Sequence, residues 1–425
     1  MLEMKLIRET PEIVRAGMEK RGMDPAPVDQ AVEFDARWRE ILQEVEALKG
    51  ERNSVSKEIG RMKDKTEREA KIEAMRVVGD KIKALDEEVK LLEEQLNAVL
   101  SIIPNIPDDK VPAGFTEEDN VEVRRWGNHP EFDFEPQAHW DFGPELDIID
   151  FERGVKLAGS RFYVLYDVAA RLQRALIHFM LDLHARQGYR EVYGPFVVRG
   201  EILYGAGQLP KFKGNLYKDH EEDLYLQPTS EVSLTGLHMN EVLEEADLPL
   251  LYTAYSPCFR REKMSAGRDV RGIKRGHQFD KVEMYKYCLP ADSYDELDKM
   301  VADAEETCQL LGIPYRVILK CAGDTSEAAR ISYDLEAWSA GCQEWLEISS
   351  ISNVGDFQSN RAMIRYKPEG GGSPRAVHTL NGSGLALPRV MIAIMENNQR
   401  ADGSIVIPEV LRPWMGGIEV IEKER

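Results

Sequence analysis

Between Trp38 and Met62 apolar residues recur at alternating steps of three and four: Trp38, Ile41, Val45, Leu48, Val55, Ile59 and Met62, with Arg52 the one polar member of the series. Such spacing is a heptad seam that faces a partner helix. The pattern lapses over MKDKTERE and resumes with Ile72, Met75, Val78, Ile82, Leu85, Val89, Leu92, Leu96 and Val99. Two seams of similar length around one polar turn predict an antiparallel coiled-coil hairpin over about 30–100. At ~1.5 Å per residue each leg spans roughly 40 Å. Thr66 with Glu69 has the form of a capping box for the second leg, and Thr10 followed by Pro11 marks a short helix before the first. On periodicity alone the hairpin suits a dimerisation or spacer coiled coil as well as a surface for another molecule.

From Ser101 to about Pro136 the chain turns to IIPNIPDDKVPAGFTEEDN and NHPEFDFEP, rich in Pro, Asp and Gly. This reads as a linker, giving a helical arm over 1–103, a linker over 104–136 and a second domain over 137–425. In that domain a helical period through Leu172, Leu176, Phe179 and Leu183 closes at Gly188. YREVYGPFVV reads as a strand interrupted at Gly194–Pro195, followed by YLQPTSEV and by LLYTAYSPCFRRE paired with HQFDKVEMYKYC. A helix over Ser293–Leu311, the segments PYRVILKCAG and WLEISSISNVG, and a helix near Leu385–Asn397 complete the pattern. Few of the connections are βαβ crossovers, so an α+β fold with an antiparallel sheet and flanking helices is expected.

Charge narrows the possible partners. With 75 acidic and 55 basic residues the formal net charge is −20, so the whole chain repels polyanions and any nucleic-acid contact must use local basic surface. The turn between the legs is such a place: Glu51–Arg76 carries eight Lys/Arg against six Asp/Glu, whereas DEEVKLLEE further on is acidic. The five cysteines are scattered without a C-x-x-C pair, which suits reduced thiols and gives no zinc spacing, so no zinc is expected. The N-terminus lacks the apolar core of a signal peptide and no run reaches membrane-spanning length, so a soluble, cytoplasmic protein without a membrane partner is expected. Neither a P-loop nor a Rossmann glycine fingerprint follows a strand.

The chemistry concentrates in Phe259–Glu283, FRREKMSAGRDVRGIKRGHQFDKVE, with eight Lys/Arg and four Asp/Glu. Its two strand-like ends flank a Gly- and charge-rich loop. By the period of two, Arg260 and Glu262 share a face on the first strand, and Arg275, Phe279 and Glu283 on the second. Guanidiniums that fork onto phosphate oxygens, a ring for a base to stack on and carboxylates for an amino group or Mg²⁺ suit a nucleoside triphosphate. A solvated hairpin laced with salt bridges fits the same composition.

FRRE, the loop and RGHQFDKVE resemble motif 2 of the class II aminoacyl-tRNA synthetases. NGSGLALPRVMIAIMENNQ (381–399) resembles motif 3, with Arg389 at its arginine, and the helix through Leu172–Leu183 with YGPFVV resembles the dimerising motif 1. Within that class KLAGSRFYVL, GAGQLPKF, QPTSEV, SAGRDVRGIKRGHQFDKVE and EISSISNVGDFQSNR resemble the seryl-tRNA synthetases, which also carry an N-terminal coiled-coil arm. The likeness covers essentially the whole chain.

The resemblance implies a six-stranded antiparallel catalytic sheet, a homodimer formed through motif 1, ATP and L-serine as substrates with Mg²⁺, and serine tRNA as acceptor. Selenocysteine tRNA stands as an open second acceptor. It places ATP against Arg260, Arg261, Glu262, Arg275, Gly276, Phe279, the segment Glu347, Ile348, Ser349 and Ser350, and Arg389. Of these, Arg260, Arg275 and Arg389 carry the catalytic charges, Phe279 and Arg389 sandwich adenine, and Glu347 with Ser350 holds Mg²⁺. Serine falls to Thr229, Ser230, Glu231, Arg260, Glu283, Asn381 and Ser383. Arg52, Lys57, Arg61, Lys63, Lys65 and Arg68 on the arm are the candidates for the tRNA's long variable arm, and Lys263, Arg268 and Arg271 for its acceptor end. Pro388, beside Arg389, suits the first turn of a helix. Two rivals stand beside this reading: a paralogue that activates an amino acid to load a carrier protein, and a non-catalytic coiled-coil interaction protein with a degenerate enzyme domain.

Overall fold

The computed structural model describes residues 1–263 and 271–422. The chain divides into two compact units, Met1–Ile106 and Pro107–Arg425. Among the described residues no helix is long and apolar enough to cross a membrane.

The first unit is helical: α1 (Met4–Glu9), α2 (Pro11–Lys20), α3 (Ala26–Ile59) and α4 (Lys65–Leu100). The last two form the antiparallel hairpin. Their 34 and 36 residues give legs of about 50 Å at ~1.5 Å per residue, longer than the apolar seam because α3 begins well before Trp38. Its base has a core of Ile7, Val14, Met18, Val28, Leu100 and Ile103. Beside that core the buried Asp35 accepts two bonds from Arg8, at 2.8 and 2.9 Å, and one from Arg39 at 3.0 Å. Thr66 does not cap the second leg. Asp64 does, its Oδ1 accepting from the Glu67 amide at 3.0 Å, because helical geometry starts at Lys65 and leaves Thr66 inside the first turn.

Along the hairpin Ile41, Val45 and Leu92 are buried against Trp38, Leu85 and Val89. From Leu48 to Val78 no side chain of the seam is fully buried. Ion pairs Glu44–Lys81, Lys49–Asp86 and Glu58–Lys71, at 2.6 to 2.9 Å, hold the register there. Exposed pairs contribute only ~0–1 kcal/mol each, so the distal half depends on the buried half for its order.

The second unit is built on an eight-stranded sheet. In chain order its strands are β1 (Val121–Trp126), β2 (Arg190–Glu191), β3 (Leu250–Phe259), β4 (Gln278–Cys288), β5 (Tyr315–Leu319), β6 (Ile331–Ser339), β7 (Glu344–Gly355) and β8 (His378–Ala386). Their spatial order is β1-β5-β6-β7-β8-β4-β3-β2. The six strands from β5 to β3 pair antiparallel throughout, β1 adds an antiparallel edge and β2 a short parallel one. The expected six-stranded sheet is therefore present with two additional edges. Part of the expected linker belongs to it: β1 lies within 104–136 and pairs with β5 from Val121↔Leu319 to Trp126↔Tyr315.

Against the sheet pack α5 (Asp167–Arg186), α6 (Ser230–Gly236), α7 (Ser293–Leu310), α8 (Phe357–Ala362) and α9 (Leu387–Asn397). Gly188 follows α5 with φ +97°, the left-handed position that ends a helix, and the Tyr189 amide returns to the His184 carbonyl at 2.9 Å. Strand β8 runs through the middle of the sheet although it contains Gly382 and Gly384. A Cβ on Gly384 would lie 2.2 Å from His184 Nε2 of α5, so the residue that weakens strand propensity is the one that lets helix and sheet close.

Residues of β4 alternate between two cores. Val282, Met284 and Cys288 enter the main core with α5, α7 and α9, while Tyr285 and Tyr287 enter a second one with Leu234 and Ala362. On that second face the sequence continues as Glu283, Lys281 and Phe279, where apolar cover ends and an open cleft begins.

Ile41→Ala is expected to destabilise the hairpin by ~2–5 kcal/mol. Amide hydrogens over 49–78 should then exchange faster while those of 281–288 keep their protection; equal acceleration in both would refute a separately stabilised arm.

Candidate active site

The cleft has a volume of about 510 Å³ and opens on the face of β4, β7 and β8 that α8 and α6 leave uncovered. Phe279 and Lys281 of β4, Glu347, Ser350 and Ser352 of β7, Asn381 and Ser383 of β8, and Arg389 of α9 line it. Glu347 and Ser350 are three residues apart and by simple alternation would face opposite ways. A bulge in the β6–β7 ladder, where Leu335 pairs with Ser349 but Glu336 with Glu347, turns both toward the cleft.

One end of the cleft is cationic. Arg260 and Glu262 do not lie on β3, which ends at Phe259, nor Arg275 on β4, which begins at Gln278. Glu262 takes a left-handed φ of +49°, its carbonyl accepts from Arg161 Nη1 at 3.1 Å, and its carboxylate accepts from Arg275 Nη1 at 2.9 Å. That curl, rather than strand alternation, brings the motif's charges into one place. The Arg260 guanidinium lies 5.2 Å from the centre of the Phe279 ring and donates through Nε to the Pro228 carbonyl at 3.2 Å. Arg389 follows Leu387 and Pro388 in the first turn of α9, donating to the carbonyls of Glu347 at 2.5 Å and Lys274 at 3.4 Å.

Desolvation among the cleft walls would raise the pKa of Glu347, but the charges of Arg389, Lys320, Arg260 and Arg275 outweigh it and hold the carboxyl below the usual range. Beside it on β6, Asp334 responds the opposite way. Burial and the Glu347 charge push it up to about 7 against the pull of Lys320, whose Nζ lies 2.9 Å from Asp334 Oδ2. Sequence reading passed over Asp334 and Lys320; cross-strand pairing of Asp334 with Ser350 puts them there.

The opposite end is acidic. Thr229 caps α6, with the Glu231 amide donating to its Oγ1 at 3.2 Å. The same hydroxyl donates to Glu283 Oε2 at 3.1 Å and accepts from Lys281 Nζ at 2.8 Å. Lys281 and Glu283 form a buried ion pair. Gln358 of α8 donates to Glu231 Oε1 at 2.7 Å and accepts from the hydroxyls of Tyr285 and Thr379, so Glu231 is held by a fully engaged amide. Burial, with the Glu283 charge, raises Glu231 to about 7, opposed by Lys281, Gln358 and Arg260. Lys281 and Gln358 are the functional neighbours that motif reading missed. Two-residue spacing from Phe279 and Glu283 was available as a signal for the first; none existed for the second, which is 75 residues from Glu283.

Several expected residues do not line the cleft. Arg261 turns away, donating to the Leu216 carbonyl at 3.0 Å and stacking 4.9 Å from the Tyr217 ring. Ile348 is in the main core, and the Ser349 hydroxyl donates to the Ser383 carbonyl at 2.6 Å, joining β7 to β8. Ser230 is buried on the Ser256 hydroxyl at 2.6 Å. Gly276 does line it, where a Cβ would come within 2.9 Å of the Gln278 carbonyl. Lys263 is exposed, and Arg271 stacks 4.5 Å from the Trp140 ring; Arg268 lies outside the described residues. On the arm Arg52 is half-buried in the seam, whereas Lys57, Arg61, Lys63, Lys65 and Arg68 are exposed.

Near Arg271 the ligand-type atoms of His139, Cys342 and Glu396 lie within 4.8 Å of one another. Their bonds describe an anchor. His139 Nε2 accepts from the Ile273 amide at 3.0 Å, which leaves the ring proton on Nδ1 facing Glu396 Oε1 at 2.8 Å. Ser339 and the amides of Gly341 and Cys342 donate to the other Glu396 oxygen. The anchor ties the segment carrying Arg275 to helix α9, which carries Arg389.

A six-strand antiparallel sheet with an arginine in the first turn of the helix after its central strand, two more arginines in the connection between β3 and β4, and an acidic pocket beside them define a class II aminoacyl-tRNA synthetase core. A family model described as tRNA synthetase class II core domain (G, H, P, S and T) matches residues 211–398, and one described as Seryl-tRNA synthetase N-terminal domain matches residues 1–107. The serine--tRNA ligases of Roseiflexus sp. (strain RS-1) and Chloroflexus aurantiacus are 60% and 55% identical to this chain over 423 and 421 residues, covering 100% and 99% of it and 100% of each relative. A crystal structure of seryl-tRNA synthetase from Pyrococcus horikoshii complexed with ATP superimposes with a TM-score of 0.94 at 38% identity, covering both chains completely. The cytoplasmic serine-tRNA ligase of Naegleria fowleri in complex with AMP gives 0.87 at 33%, covering 100% of this chain and 99% of that one. The chain belongs to the serine--tRNA ligase family, enzymes of the aminoacyl-tRNA synthetase group.

Glu231 sets a pH dependence of stability. Below its unfolded value, ~4.5, it is protonated in both states. Between there and about 7 the unfolded chain has lost a proton that the folded cleft keeps, so stability falls as pH rises through this window. Glu231→Gln should therefore raise the melting temperature more at pH 8 than at pH 5, with a ceiling of ~3 kcal/mol. Equal shifts at both pH values would contradict the burial of a charge-averse carboxyl.

Proposed function

We propose that the cleft binds ATP and L-serine together, joins them as seryl-adenylate with release of pyrophosphate, and passes the seryl group to the 3′ end of serine tRNA. One observation carries this: Arg260, Arg275 and Arg389 line the same cleft as Glu231 and Lys281, with Thr229 and Glu283 directly behind them. A polyphosphate suits the first set and an ammonium suits the second.

In this reading a serine carboxylate oxygen attacks the α-phosphorus in line, and the bond to the bridging oxygen of the leaving pyrophosphate breaks. Little proton transfer is required, so the chain contributes position and charge. Arg260 reaches the α-phosphate and the serine carboxylate. Arg275 exchanges its Glu262 partner for the β- and γ-phosphates, which frees Glu262 for the adenine amino group. Phe279 and Arg389 flank the base. Serine's ammonium falls to the Glu231 and Glu283 carboxylates and its hydroxyl to Asn381 and Ser383. Thr229 and Ser230 shape that pocket from behind, Arg261 and Gly276 shape the phosphate end, and Ile348 and Ser349 set the bulge that aims their neighbours.

Glu347 and Ser350 would hold Mg²⁺. The fit is supported by a carboxylate kept ionised in the cleft, a hydroxyl beside it and the buried Asp334 Oδ1, which has no hydrogen-bond partner among the described residues. Such an ion supplies charge neutralisation on the phosphates.

The arm, over about 1–103, is read as the grip on the variable arm of serine tRNA through Lys57, Arg61, Lys63, Lys65 and Arg68, with Arg52 shaping the seam beneath them; selenocysteine tRNA shares that chemistry. Recognition by shape and backbone needs only such local positive charge. A homodimer through α5 and the segment YGPFVV that follows it is supported by exposed apolar side chains on that segment: Tyr193 is 81% exposed and Val197 43%.

Purified protein with Mg²⁺ is expected to catalyse ATP/pyrophosphate exchange that depends on serine, and Arg389→Ala to lower kcat by ~10²–10³. No exchange, or a preference for threonine or alanine, would sink the assignment. Replacing Lys57, Arg61 and Lys63 by Glu should leave exchange unchanged, raise KM for serine tRNA and flatten the salt dependence of charging. Unaltered tRNA kinetics would remove the role given to the arm.

A further inference from the structure

The acidic end of the cleft contains a cation of its own. Thr229 Oγ1 has one proton, which goes to Glu283 Oε2, and two lone pairs, which accept from Lys281 Nζ at 2.8 Å and from the Glu231 amide at 3.2 Å. The hydroxyl is saturated. Glu283 Oε2 is occupied as well, by Lys281 and Thr229, whereas Glu283 Oε1 is fully buried with no hydrogen-bond partner among the described residues. On Glu231 one carboxylate oxygen is taken by Gln358. One oxygen of each carboxylate is left without Gln358, Lys281 or Thr229, that of Glu231 on the cleft wall and that of Glu283 buried directly behind it, in a pocket with two carboxylates, one lysine and Arg260 nearby.

With Arg260 committed to the substrate's carboxylate and α-phosphate, the two carboxylates and one lysine lack one positive charge. An orphaned buried carboxylate oxygen is costly until a donor arrives, so the set is complete only when a single ammonium sits on it. We propose that Lys281 is a specificity-determining residue: by neutralising Glu283 and saturating Thr229 it sets the pocket to accept a substrate with one ammonium and a neutral β-hydroxyl, and to reject one with a second positive charge in the hydroxyl's place. This rests on the serine reading above and adds the repulsive half of the selectivity. The raised pKa of Glu231 fits the same charge count, because a carboxyl waiting for a cation holds a proton until the cation comes.

The matching probe is L-2,3-diaminopropionate, which carries an amino group where serine carries its hydroxyl. At about pH 6, where both of its amino groups are protonated, ATP/pyrophosphate exchange by the unmodified protein should favour serine over it by at least ~100-fold in kcat/KM. Lys281→Met should reduce that ratio at least ~10-fold, through a lower KM for the diamine and a higher one for serine. Lys281→Arg, which keeps the charge, should preserve it. Because Lys281→Met could simply fail to fold, Lys281→Gln, whose amide still bonds Thr229 and Glu283, must show the same reduction. If the neutral variants lose serine activity while the ratio stays constant, Lys281 does not set the charge of the pocket. Absence of serine-dependent exchange by the unmodified protein would instead overturn the functional reading beneath it.

Discussion

The antiparallel pairing of Leu250–Phe259 with Gln278–Cys288 is the constraint on which the site depends. Because side chains alternate along a strand, one register decision sends Tyr285 and Tyr287 into a helix-covered core, Lys281 and Phe279 into the cleft and Glu283 directly behind it. A slip by one residue would exchange that set for Val282 and Met284, which belong to the main core. The charged pocket therefore inherits its precision from apolar burial a few residues along the same strand.

Two departures from regularity complete what the register begins. A bulge beside Ile348 turns Glu347 and Ser350 to one side, and a second irregularity opposite Glu283, where Gly384 is passed over in the pairing with the eighth strand, sets Ser383 against it. Both lie in central strands, where the ladder is otherwise continuous on either side. Rigid neighbours let a local defect aim a side chain instead of loosening it.

Electrostatics then separates carboxyls that composition treats as alike. Glu347, among four cations, is held ionised, while Glu231 and Asp334, buried beside other acids, are raised to about 7. One end of the cleft is prepared for phosphates and the other for a cation. The net charge of −20 says nothing of this division, because it is made over a few ångströms by desolvation and by which partner each group faces.

Residue order alone determined the coiled-coil hairpin, the antiparallel α+β class and the motif residues Arg260, Glu262, Arg275, Phe279, Glu283 and Arg389. Heptad spacing, strand alternation and short motifs are local, and local patterns survive in one dimension. Other features were not legible. Strand Val121–Trp126 lay in text rich in Pro and Asp, and the eighth strand was masked by its two glycines, Gly384 standing where a helix passes too close for a side chain and Gly382 against Ile351 of the neighbouring strand. Asp64 displaced Thr66 as the helix cap, and Ser230, Arg261, Ile348 and Ser349 faced away from the cleft. Gln358, Asp334 and the His139–Glu396 anchor acquired their places only through packing, whereas the spacing of Lys281 from Phe279 and Glu283 was there to be read. Sequence sets which chemistry is available along each strand and helix. Tertiary structure decides which groups meet, because a buried charge or hydrogen bond is defined by partners far away in the chain and by the water they exclude.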